Sequence, residues 1–236
     1  MVWTRLLLLH GFCWALVSAH ALDISGLALG SSLDDAKGTL NKVNPALTFK
    51  SFRSKDGSRL ALVGRELGTR VSTHDSKVEE FVRDEYVVVA AQTGIIRYVE
   101  HNVKTTQNRL LDHQQIVQTL RVHYGAPSSQ SSPNGRPEVL VNQIAWESDT
   151  LKRAYVGPAE SGPCGPSLTE RFEYSDGVID MARVGRDGCG TLVVAKVPRP
   201  TVDGIAEMVG KPLGLPFEGK ISSYSVFILD GIGFAK

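Results

Sequence analysis

Cysteine is scarce in this chain of 236 residues: three are present, at positions 13, 164 and 189. A structural zinc site needs cysteines two to four apart and usually four ligands. Here Cys164 and Cys189 are 25 apart, with no histidine between Ser161 and Val197. A redox dithiol needs C-x-x-C, which is also missing. No run of five like charges occurs, and the formal net charge is +1. Nucleic acid and anionic membrane reward clustered Lys and Arg, so neither is expected as the main partner. There is no G-x-S-x-G elbow, no H-E-x-x-H, no Walker loop, and no G-x-G-x-x-G between a strand and a helix. The terminal "DGIGFAK" has glycines but no following helix to hold phosphate.

One apolar run stands out, Leu6 to Val17, far short of the ~20 residues that span a bilayer. It follows a single positive charge, Arg5, and ends on Ala19-His20-Ala21, the three parts of a secretory signal. Residues 1–21 are therefore expected to be a signal peptide, cleaved before Leu22. Cys13 follows Phe12 in mid-run rather than a small residue at its end, so lipidation is not expected. Cleavage removes Arg5 and Cys13, leaving 25 Lys+Arg against 25 Asp+Glu, and two cysteines. An even pair in an exported chain reads as a disulfide, Cys164–Cys189, that staples the C-terminal half. The expected location is periplasmic or secreted, without stable membrane insertion after cleavage.

Two principal helices are legible. "SSLDDAKGTLNKV" has a Ser cap, an acidic first turn, and Leu33, Ala36, Leu40 and Val43 on one face, with Asn44-Pro45 as its stop. The second begins at Asp112, with Gln115 in capping-box relation and a stripe of Ile116, Leu120 and Tyr124; Gly125 and Pro127 end it. A short third helix fits residues 202–209. Strands are expected over 48–53, 59–67, 86–91, 95–101, 139–147, 171–174, 178–184, 191–197 and 222–230. The run Tyr86 to Ala91 is apolar throughout, as suits a strand buried on both faces. The stretch from Gly125 to Arg136 is rich in Gly, Ser and Pro and reads as a mobile loop. Each long helix precedes its own strands. The expected fold is α+β, with a mainly antiparallel sheet, two principal helices and one disulfide. An N-terminal module would cover 22–104 and a C-terminal one 105–236, as separate units or one compact body.

"GLALGSSLDDAKGTL" resembles the glycine-containing strand and Ser/Thr-capped helix of small exported modules of the outer-membrane assembly lipoprotein type. Secreted beta-lactamase inhibitor proteins are built from similar helix-then-sheet units. "LRVHYGAP", followed by a strand with Trp146 and a paired-cysteine region, is similar to uncharacterised periplasmic proteins of Gram-negative bacteria. These resemblances imply compartment and fold class, and carry no functional residue across.

No residue is nominated as catalytic, cofactor-binding or metal-ligating. His113 and His123 lie ten apart on the second helix, about 15 Å along its axis, too far to share a metal. His74 falls in a polar stretch read as a solvated loop, and His101 ends a strand. The adjacent acids Asp34-Asp35, Glu79-Glu80 and Asp84-Glu85 diverge on any regular element and read as solvated charge. The leading expectation is a non-enzymatic protein that binds another protein or an envelope component through its sheet. The alternatives are a hydrolase assembled from distant residues, with His101 or His74 as base, and a small-ligand carrier.

Overall fold

The computed structural model describes residues 22–71, 77–105, 110–131, 143–165, 172–181, 187–197 and 220–234. The expected leader, the third helix, residues 132–136 of the expected loop and His74 lie outside these residues. In chain order come β1 (Asp23–Ile24), β2 (Leu27–Ala28), α1 (Leu33–Val43), β3 (Thr48–Ser54), β4 (Arg59–Val71), β5 (Val78–Ala91) and β6 (Ile96–Lys104). Then follow β7 (Leu111–Asp112), α2 (His113–Tyr124), β8 (Ser129–Ser131), β9 (Gln143–Asp149), β10 (Phe172–Ser175), β11 (Val178–Met181), β12 (Cys189–Lys196), β13 (Lys220–Ile221) and β14 (Ser223–Asp230).

Both long helices start where the capping residues place them. The Ser32 hydroxyl accepts from the Asp34 amide at 3.2 Å, and Asp112 Oδ1 accepts from the Gln115 amide at 3.0 Å. Each satisfies an amide that the first turn leaves without a helical partner. Asn44 ends α1, and Gly125, at φ 83°, ends α2 in a conformation that glycine adopts freely.

Ten strands form one sheet in the order β10-β11-β3-β4-β5-β6-β14-β12-β9-β8. Its eight central and outer positions from β3 to β8 have a simple logic. After α1 the chain lays down β3, β4, β5 and β6 from the edge inward; after α2 it lays down β8, β9, β12 and β14 in the same sense. The two sets of four meet where β6 pairs with β14. The fold is thus mainly sheet with helices, but the expectation of a mainly antiparallel sheet is corrected: the sheet is mixed. The hairpin β10–β11 seats β11 beside β3 in parallel, Val178 opposite Arg53. A parallel neighbour requires a long crossing connection, and here everything from β4 to β10 intervenes. Nothing in the local sequence of either strand announces such a pairing.

The core has two layers, one on each side of the sheet. On one side α1 contributes Ala36 and Leu40 and α2 contributes Val117 and Leu120, over Leu62, Val88, Ile96, Val99, Val193 and Ile228. On the other side, Ala61, Val63, Val87, Val89, Leu192, Val194 and Phe227 are buried with Ile179 and the two cysteines. Residues 86–90 of β5 are all buried, as their uniform apolarity requires. Each fully buried side chain of this kind stabilises by roughly 1.5–3 kcal/mol, so the central strands anchor both layers.

Candidate functional site

The side of the sheet opposite α1 and α2, against which the short 3₁₀ helix Ala159–Ser161 packs, changes character along its strands. Toward one end it is apolar and buried. At the other, one residue from each of eight strands forms a continuous polar row: Thr48, Arg65, Glu85, Asn102, Ser225, Lys196, Gln143 and Ser131. Each faces its neighbour directly across the strand pairing, so all eight share one side. At the usual strand spacing the row is about 34 Å long. All eight side chains are half-buried or exposed. Arg65 Nε meets Glu85 Oε2 at 2.6 Å, and Asn102 donates to Glu85 Oε1 at 3.3 Å.

One step inward stands Glu100, accepting from the Tyr98 hydroxyl at 2.8 Å. Burial pushes its carboxyl above the usual range, against the opposing pull of Tyr98, Asn102 and Lys196. The row and Glu100 together offer two cations, two carboxyl groups, two amides and three hydroxyls in a line. Donors and acceptors alternate without a paired nucleophile and base.

The helix side carries a compact polar cluster. His101 Nε2 lies 2.7 Å from Asp84 Oδ1, and the imidazole stacks on the Tyr86 ring at 4.1 Å with 7° between planes. Asn44, the C-cap of α1, donates to Asp84 Oδ2 at 2.8 Å and to Glu66 Oε2 at 2.9 Å. The Tyr86 hydroxyl is 3.0 Å from Ser25 Oγ, and Tyr224 presents its edge to His101. Burial alone would raise Asp84, but the hydrogen bonds from His101 and Asn44 outweigh it and hold the carboxyl below its ordinary range. Burial pushes Tyr86 up to about 12. With Nε2–H given to Asp84, the Nδ1 lone pair is the one left for chemistry. His101 therefore sits within β6, not at its end. The arrangement also clamps the end of α1 to β4 and β5.

The remaining sequence candidates fall elsewhere. His113 is buried at the start of α2, and His123 Nε2 lies 3.9 Å from Asp23 Oδ2 at the other end of that helix. Among the described residues no group of three or more His, Cys, Asp or Glu is placed to hold a metal ion. No helix among them is long and apolar enough to cross a membrane.

Cys164 and Cys189 are bonded, S–S 2.10 Å and Cα–Cα 4.5 Å, and both are buried. Beside them lies a group the sequence did not single out. Glu147 on β9 is 3 % exposed; its Oε2 accepts from the Cys164 amide at 3.1 Å, while its Oε1 has no partner among the described residues. Burial pushes this carboxyl up, opposed by the Cys164 amide. Gly162 comes so close that an added Cβ would stand 2.3 Å from Oε2. A side chain at this position would have to push the carboxyl aside.

Comparison with family models, with curated proteins and with solved structures returns no match. The structure defines a class: a disulfide-linked α+β protein of one large mixed sheet, with α1 and α2 on one side and a polar row on the other. Disulfide bridges form and persist in non-reducing, exported environments.

Proposed function

We propose that this is an exported, non-enzymatic protein, periplasmic or secreted after removal of residues 1–21, that binds another protein or envelope component across the side of its sheet opposite α1 and α2. The polar row carries this reading. A contact built on one strand would need only one of the two helix-and-strands sets. A row shared by eight strands requires both sets joined edge to edge, and its ~34 Å length is that of a protein interface of ordinary size.

The test compares the wild type with an Asn102→Ala, Ser225→Ala, Gln143→Ala triple variant as bait in envelope extracts. A partner captured specifically by the wild type and lost from the correctly folded variant supports the reading. Equal capture by both refutes it.

A second reading rests on the His101–Asp84 pair, in which a carboxylate fixes an imidazole with Nδ1 as base. It makes the protein a hydrolase with a site assembled from distant residues. Turnover in a broad hydrolase panel that His101→Ala abolishes would establish it and displace the first.

A further inference from the structure

A neutral side-chain amide would serve the Cys164 N–H as well as the carboxyl of Glu147 does. The chain instead buries an acid against its bridge, with Oε1 lacking a partner among the described residues. A buried polar atom left unpaired costs stability, and a redox role is one reason for a protein to keep it. Nothing charged on the described flanks explains it. Asp149 and Arg153, further along β9 and its loop, bond each other at 2.7 Å. Across from Glu147, β12 presents Leu192 and Thr191, and the Ser128 hydroxyl bonds the Glu147 backbone. Burial extends the pH range over which the carboxyl stays neutral, against the pull of the Cys164 amide. While it is neutral and Oε2 accepts from Cys164, its proton is on Oε1 and meets no described acceptor.

Opening the bridge supplies that acceptor. A disulfide sulfur is uncharged and accepts weakly, whereas the sulfur that leaves a broken disulfide is a thiolate. Cys164 Sγ belongs to the residue whose amide already holds Oε2. We propose that Glu147 is the proton donor through which an external thiol opens the Cys164–Cys189 bridge, making the staple a redox switch. The thiolate of the external thiol attacks Cys189 Sγ and forms a new S–S bond there. Cys164 Sγ leaves with the electron pair of the broken bond and takes the proton of Glu147. A second external thiol attacks the mixed disulfide, and Cys189 leaves and takes the proton which that thiol sheds. The protein gains two electrons, the two thiols become a disulfide, and Glu147 recovers the proton that the first thiol gave to solvent. Cys189 is the sulfur attacked because the acid stands beside Cys164, and because exposed Asp187 and Gly188 lead into Cys189. The cover at both places is glycine: Gly162 over the carboxyl, and Gly231, where an added Cβ would lie 2.6 Å from Cys189 Sγ. Opening would release the loop 157–165 from the layer that holds Val63, Val87 and Val89. It involves neither the polar row nor the His101 cluster.

Dithiothreitol and glutathione on the folded, oxidised chain test this, with opened bridges trapped by alkylation and mapped by mass spectrometry. Per unit of reagent thiolate, wild type should open fastest while Glu147 is protonated. It should slow by about tenfold or more as the carboxyl ionises. Glu147→Gln, which has no proton to give, should open slowly at every pH, and Glu147→Asp should restore the dependence. In the trapped mixed disulfide, glutathione should be carried on Cys189. Urea unfolding of each oxidised variant at the same pH values gives the rate of opening by global unfolding, which the wild-type rate should exceed. A bridge that opens only at the unfolding rate, a pH profile shared by wild type and Glu147→Gln, or glutathione carried on Cys164 overturns the inference.

Discussion

Removing the disulfide by a Cys164→Ala, Cys189→Ala double substitution should cost about 3.5–5 kcal/mol. The bond closes a loop of 25 residues, for which the loss of chain entropy in the unfolded state corresponds to about 3.5 kcal/mol at room temperature. Both sulfurs are buried, at 0 % and 1 % exposure, so deleting them adds on the order of 1 kcal/mol of lost burial between them. The consequence extends beyond the stapled loop. The cysteines pack in one layer with Val63, Val87 and Val89, so loosening the loop opens one side of β4 and β5. Urea unfolding of oxidised wild type and double variant gives the difference directly, and amide exchange at Val87–Val89 reports its spread. A loss below about 1 kcal/mol, far under the loop-closure value, or unchanged exchange in β5, would refute the reasoning.

Two further predictions concern buried carboxyls. Glu147 has a folded-state pKa raised above its unfolded one, so its contribution is fully present below the unfolded pKa and is lost as pH rises through the folded one. Glu147→Gln, which never ionises, should match wild type in acid and exceed it by roughly 1–2 kcal/mol above neutrality; urea midpoints across pH that stay parallel would contradict this. Asp84 has the opposite sign: its lowered pKa gives stability present above the unfolded pKa and lost as pH falls through the folded one. Asp84→Asn should therefore flatten the acid limb of the stability curve and lower stability at neutral pH by about 1–3 kcal/mol, and an unchanged acid limb would dismiss the His101–Asp84–Asn44 clamp.

Much of this was legible in the sequence because it depends on neighbours along the chain. The capping residues Ser32 and Asp112 mark their helix starts, and the apolar run at Tyr86 marks a strand covered on both sides. The even pair of cysteines beyond the expected leader marks the bridge. Residues 78–85 of β5 were missed because "VEEFVRDE" has charge on both sides and no period-two alternation, the mark of a strand with little core beneath it. The parallel seat of β11 and the polar row depend on register between distant strands, where each contributes one unremarkable residue. The His101–Asp84 contact had a weak signal: both lie in one hairpin, Tyr86 faces His101, and Asp84 is one diagonal step away. The bulge at Val89/Ala90 shifts that register by one, which hides it from a turn-based count.

The central claim is that the polar row opposite α1 and α2 is where a partner binds. A photo-crosslinking amino acid placed singly at Thr48, Asn102, Ser225 and Gln143, and for comparison at exposed Val122 on α2, tests it on the exported protein in its own compartment. The account predicts one common adduct from the row positions and none from Val122. An adduct that forms from Val122 but not from the row would contradict it.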